Sequence, residues 1–172
     1  MSTLIELYTA EAVVTGYRID RAAVRETLES GGAVRLAQPQ WTPLHRPPDE
    51  RDTGESLPVD EVLAAVAEPD PHRAVHANWH DVVLEAGPYR ISGTLAVLPG
   101  FDPNRAITRP GGTFIPLRSA RLEIIDYPDA GQLDRETVLV NRYAVDRVAS
   151  TLELGFFFPA ARLERLEQKP VA

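Results

Sequence analysis

At 172 residues and 44% apolar side chains, the chain has the size of one compact domain or two small ones, with enough core to stand without covalent staples. The absence of cysteine excludes a disulfide framework, thiolate metal sites and a cysteine nucleophile. A formal net charge of −7 argues against a protein built mainly to grip a phosphate backbone, because that affinity depends on a basic surface.

In chain order, residues 4–19 alternate in polarity and break at Ala10-Glu11, which predicts a hairpin with Ile5 and Leu7 facing the same way. Residues 20–30 predict a short helix, capped by Asp20 and stopped by Gly31-Gly32. Residues 39–58 carry five prolines and the charged run Asp49-Glu50-Arg51-Asp52, so a solvated loop is expected. Val59–Val66 is apolar and fits either a strand or a helical turn. Pro69 and Pro71 mark a linker over 69–80.

Beyond the linker, Ile91, Gly93, Leu95 and Val97 share one strand face by their period of two. Phe114–Ile125 is a strand whose apolar parity changes near Leu117, which predicts a bulge. Val138 and Val140 alternate, the parity breaks at Asn141-Arg142-Tyr143, and Val145 and Val148 resume, as in two strands joined by a tight bend. Leu152, Leu154, Phe156 and Phe158 predict a last strand, from which Phe157 points outward. Pro159 then opens a predicted amphipathic helix over 160–169, with Leu163 and Leu166 on one face.

Several of these features occur twice. Ile5-x-Leu7 and Val14-x-Gly16 in the first half match Val82-x-Leu84 and Ile91-x-Gly93 in the second. Gly31-Gly32 precedes Ala33–Leu36 as Gly111-Gly112 precedes Phe114–Leu117. The expectation is a mainly β protein of two tandem small β-barrel or roll units with short helices. A degenerate first unit spans 1–68, and a second unit with its C-terminal helix spans 81–172, the two sharing one core or keeping separate ones.

The second half resembles the Sm-like small barrels, in particular the bacterial host-factor branch. The matching residues are Val82-x-Leu84, Gly87, Ile91-x-Gly93-x-Leu95, Phe101-Asp102 and Asn141-Arg142-Tyr143-Ala144-Val145-Asp146. The whole chain is similar to a group of bacterial tandem small-barrel proteins. The Sm-like resemblance implies RNA or nucleotide binding through Asp102, Asn104, Arg142 and Tyr143. Arg105 and Arg109 add the RxxxR spacing found in PilZ barrels, which bind cyclic dinucleotides and could clamp a phosphate. The companion motif of that family is absent around Ser119.

His72, His76 and His80 would stack along a helix face at about 6 Å per step, leaving the outer two about 12 Å apart and too distant to share one zinc. The flanking prolines and Val82-Val83-Leu84 favour an extended segment, where this spacing does not chelate. No metal or cofactor is expected. There is no GxSxG elbow, no HExxH and no phosphate-binding glycine loop, so an enzyme is not expected either. The opening Met-Ser-Thr-Leu-Ile-Glu lacks the basic patch of a signal peptide, and no apolar run reaches membrane-spanning length, so a cytoplasmic location is expected. The leading expectation is a non-enzymatic assembly or scaffold module. Its partner would be a second copy or another protein, met through Phe157, Leu163 and Leu166. The alternative is the nucleotide- or RNA-binding domain.

Overall fold

The computed structural model describes residues 3–50, 52–68, 77–97 and 112–167. Its strands are β1 (Leu4–Tyr8), β2 (Ala12–Arg18), β3 (Ala33–Pro43), β4 (Ser56–Pro58), β5 (Ala64–Val66), β6 (Asn78–Ala86), β7 (Tyr89–Val97), β8 (Phe114–Ile124), β9 (Leu133–Asn141), β10 (Arg147–Ser150) and β11 (Arg162–Arg165). One helix, α1 (Val24–Glu29), follows β2, and it ends where Gly31 and Gly32 adopt positive φ. All strands lie in one sheet in the order β11-β10-β6-β7-β8-β9-β5-β1-β2-β3-β4. The protein is mainly β, as the alternating patterns require.

The order contains a repeat. The first half runs β5-β1-β2-β3-β4 and the second runs β10-β6-β7-β8-β9, each fifth strand lying beside its own first strand. The registers repeat as well. Leu7 pairs with Val14 and Ala65, and Leu84 pairs with Ile91 and Val148. Val34 pairs with Leu57 as Ile115 pairs with Val140. Val14, Leu36 and Val62 thus have counterparts in Ile91, Leu117 and Val145, and all six are buried. Each fully buried aliphatic side chain of this kind contributes about 2 kcal/mol.

Each half also bends at the same place. The β2–β3 register slips between Thr15 and Tyr17, at Gly16, opposite Gln38 with φ of 51°. The β7–β8 register slips between Ser92 and Thr94, at Gly93, opposite Ser119 with φ of 47°. A Cβ on Gly93 would lie 2.9 Å from the Arg118 carbonyl oxygen, and one on Gly16 would lie 3.3 Å from that of Ala37. Glycine is required because the bulged strand presses its backbone onto the neighbour.

The sheet does not close into two barrels. Closure of either half would pair its outermost strands, β5 with β4 or β10 with β9. Instead β5 pairs with β9, and β10 pairs with β11. Successive side chains of β5 and β9 then enter two different cores. Ala64, Val138 and Val140 join the core built on β6–β8, while Ala65 and Leu139 join that of β1–β4 and α1. Phe114 of β8 also packs with the first-half core, and Tyr8 of β1 with the second.

Four other expectations are corrected. The segment 160–169 is not a helix over its described part, because Arg162–Arg165 form β11, parallel to β10. The open edge of β10 offers backbone partners that outweigh a modest amphipathic period. Residues 152–158 are turns rather than a strand, since Gly155 and Pro159 bracket the aromatic run. Turn geometry sets phenylalanine exposure without alternation: Phe157 and Phe158 are buried and Phe156 is partly exposed. The expected loop over 39–58 begins with strand, because β3 continues to Pro43. Leu44 donates its N–H to the Glu11 carbonyl, so Pro43 and Pro39 fall on the side away from β2, where no donor is needed. Of the expected linker, 69–76 lie outside the described residues, while Asn78, Trp79 and His80 belong to β6.

The halves are tied by buried tyrosines. The Tyr89 hydroxyl donates to the Thr9 carbonyl at 2.7 Å, and its ring meets that of Tyr8 edge-on at 5.3 Å. The Tyr8 hydroxyl donates to Glu6 Oε2, and Arg135 of β9 forks the same carboxylate at 3.1 and 2.8 Å. Burial raises both phenols above the ordinary tyrosine value, and for Tyr8 the adjacent Glu6 carboxylate raises it further.

Gly93→Ala is expected to destabilise the fold by about 2 kcal/mol in urea unfolding, more than Gly16→Ala. Gly54→Ala, where a Cβ meets nothing nearer than 3.7 Å, serves as the near-neutral control. Alkaline titration carries a second expectation. Unfolded tyrosines ionise near pH 10, at about their ordinary pKa, and the folded phenols of Tyr8 and Tyr89 resist it. Above that pH the folded state therefore holds more protons than the unfolded one, so stability falls as pH rises. Phenolate absorbance should show Tyr8 and Tyr89 ionising only as the protein unfolds, and Tyr89→Phe should reduce the alkaline loss.

Candidate binding surface at the Arg142–Tyr143 turn

The bend between β9 and β10 is built on Asn141. Its side-chain oxygen accepts the Tyr143 N–H at 3.1 Å, its amide donates to the Val62 carbonyl, and its carbonyl accepts the Ala144 N–H. This fixed turn aims Arg142 inward and Tyr143 outward. Arg142 is 5% exposed and Tyr143 is 57% exposed. The Arg142 guanidinium donates to the Phe156 carbonyl at 2.6 Å and to the Gly112 carbonyl at 3.4 Å. It lies 5.1 Å from the Tyr143 ring centre, within cation–π range. Arg142 is therefore a cross-brace between the start of β8 and the turn after Leu154, supporting a tyrosine whose open face looks to solvent.

Next to it, Glu29 at the end of α1 accepts the N–H groups of Thr113 and Phe114, both at 2.8 Å. Gly112, with φ of 84°, lies so close to that carboxylate that a Cβ would sit 2.4 Å from Glu29 Oε1. One helix of the first half thus anchors the entry to β8 in the second. Of the other proposed ligand-binding residues, Asp102, Asn104, Arg105 and Arg109 lie outside the described residues, as do His72 and His76. His80 sits in β6 opposite Leu95.

Among the proposed interface residues, Phe157 is 7% exposed and packs in the second core, whereas Leu163 and Leu166 are 47% and 38% exposed. Phe156 takes the outward position at 37% exposure, and a Cβ on Gly155 would lie 3.4 Å from the Leu163 side chain. Arg142 thereby links the Tyr143 ring to the Phe156 carbonyl, next to the glycine that the Leu163 side chain of β11 approaches. Strand alternation predicts Phe157 outward, but the turn bracketed by Gly155 and Pro159 buries Phe157 and leaves Phe156 exposed.

Several other charges of the second half are paired across strands. Arg90 bridges Glu85 at 3.1 Å and Glu123 at 2.8 Å, and Arg147 bridges Glu85 and Glu164. Gln132 and Arg90 donate to Glu123 and hold its carboxyl below the usual value. Arg121 pairs with Asp134, and Arg118 stacks over Trp79 at 4.6 Å. A shallow 370 Å³ cleft near β2 and β5 is acidic, with Glu11, Asp60 and Glu61 beside Trp41. Its one arginine, Arg46, is forked by Asp52 at 2.7 and 2.8 Å. Among the described residues no three acidic or histidine side chains form a metal-holding group, and no helix is long and apolar enough to cross a membrane.

Comparison with known protein families, characterised proteins and solved structures finds no match to this chain.

Arg142→Lys is expected to lower stability by about 1–3 kcal/mol, since a compact ammonium lacks the span of the two guanidinium nitrogens that reach separate carbonyls and the planar face that supports the ring. Tyr143→Ala should stay within about 0.5 kcal/mol, as an exposed site does. Thermal unfolding of the two variants reads the difference.

Proposed function

We propose that this chain is a non-enzymatic assembly or scaffold module that meets a second copy, or another protein, through the surface beside β11. The observation that supports this reading is a contrast in the surface. Arg90, Arg121, Arg135 and Arg147 are tied to carboxylates and Arg142 to carbonyls, while Tyr143 and Phe156, joined through Arg142, and Leu163 and Leu166 at β11 are left exposed. Exposed paired charges contribute little to association, whereas clustered aromatic and leucine side chains supply the buried core of an interface. The repeated strand order favours treating the halves as two fused small-barrel units of the Sm-like type, opened by their mutual pairing. A cytoplasmic setting is part of the same proposal. Sedimentation across a wide concentration range is expected to show self-association that Leu163→Glu with Phe156→Ser abolishes. A chain that stays monomeric throughout would overturn the self-associating form.

The Tyr143 ring, backed by the Arg142 guanidinium, favours a second reading as a stacking platform for RNA or a nucleotide. In that reading Asp102, Asn104, Arg105 and Arg109 would complete the site. Filter binding of poly-A, poly-U and a cyclic dinucleotide at low salt, lost in Tyr143→Ala, is the expected result. Absence of binding under those conditions removes this reading.

A further inference from the structure

The junction between the halves is a head-to-tail contact. It joins the fifth strand of one unit, β5, to the fourth strand of the next, β9. Such a contact is not self-complementary, so it leaves the same two edges at the ends of the pair, the outer edge of β10 and the outer edge of β4. Unprotected, these edges would add further copies of the chain without limit.

We propose that the chain is closed against this addition at both ends, by β11 on β10 and by Pro58 on β4. The registers carry the argument. At the junction, Leu63 donates its N–H to Tyr8 and turns its carbonyl outward, where it accepts the Asn141 N–H at 2.8 Å. At the equivalent place in the second half, Asp146 donates to Glu85, and its carbonyl accepts the Arg162 N–H of β11 at 2.9 Å. Ala65 meets Leu139 across the junction, and its counterpart Val148 meets Leu163. The outward groups filled by a second unit at β5 are therefore filled at β10 by the chain itself. β11 does this as a parallel strand of four exposed residues, three of them charged, so it extends the sheet mainly with side chains that stay in water.

At the other end, β4 is the counterpart of the junction-forming part of β9, with Leu57 in the place of Val140. Pro58 then stands where β9 has Asn141, and Ser56 stands where it has Leu139. Proline has no N–H to offer the outward carbonyl of a next unit. Serine cannot fill the apolar place that Leu139 takes in the neighbouring core. One edge is covered and the other has lost its donor and its anchor.

The test reverses the two devices separately and together, with mass read by light scattering. One change ends the chain at Ala161, which removes β11 while keeping the buried Leu154, Phe157 and Phe158. The other is Ser56→Leu with Pro58→Asn. The chain carrying both changes is expected to grow with concentration to at least twice its own single-chain mass. The truncated chain alone should remain single. The Ser56→Leu/Pro58→Asn change alone should leave the behaviour of the intact chain unaltered. A doubly altered chain that stays single with a preserved circular dichroism spectrum overturns the proposal, and so does growth caused by the β4 change while β11 is intact. If truncation unfolds the protein, Arg162→Pro with Leu163→Ser and Leu166→Pro, which removes two β11 donors and both leucine side chains in the full-length chain, takes its place under the same two criteria. The truncated background lacks Leu163 and Leu166, so this outcome is independent of association through their side chains.

Discussion

The pairing of β5 with β9 is the contact on which the rest of the architecture hangs. Only three residue pairs define its register, yet it places the two halves in one sheet and decides which side chain enters which core. Because neighbouring residues on a strand point to opposite faces, Leu139 is committed to one core and Val138 and Val140 to the other. The same alternation sends Tyr8 and Phe114 each into the core of the opposite half. A slip of one residue would exchange these assignments, so the register is held by several independent constraints. The Tyr89 hydroxyl, the Arg135 fork on Glu6, the Glu29 carboxylate and the Asn141 amide all cross between the halves. Their convergence makes the two repeats behave as one body.

Within each half, the glycine of the second strand and the bulge of the third act as one device. Gly93 lets the Arg118 carbonyl approach, and the positive φ of Ser119 creates the bend that brings it there. Gly16 and Gln38 do the same in the first half. The resulting curvature folds each set of strands over its own core, while the junction keeps the sheet open. The electrostatics follow a different logic. Arg90, Arg121 and Arg147 bridge carboxylates of neighbouring strands, so much of the charge on that part of the sheet is organised into pairs. Arg142 departs from this pattern by bracing backbone carbonyls, which frees the aromatic face of Tyr143.

A good share of the fold was legible as period and spacing. The hairpin of β1 and β2, the bulge in β8, the tight bend at Asn141 and the twin patterns around Gly16 and Gly93 follow from local rules of alternation and turn chemistry. The candidate site was legible in identity and less so in orientation. Asn141-Arg142-Tyr143 stands out as a polar break between apolar runs, but nothing in that string says that the arginine turns in and the tyrosine out. That depends on carbonyls supplied by Gly112 and Phe156, distant along the chain. The C-terminal region failed for a related reason: Leu163 and Leu166 fit a helical face, and only the presence of the β10 edge makes a strand the better state.

What the sequence by itself determined is therefore the β1–β2 hairpin, the strands β7 to β10 with their inward faces, and the duplication of the unit, since each is encoded in residues close together. The tertiary structure decided which edges pair, and hence that two expected barrels become one open sheet, that Phe157 is buried while Phe156 is not, and that β11 exists at all. Edge pairing uses backbone groups that every residue carries, so local sequence cannot specify the partner. It is selected when the whole chain satisfies its donors and acceptors together.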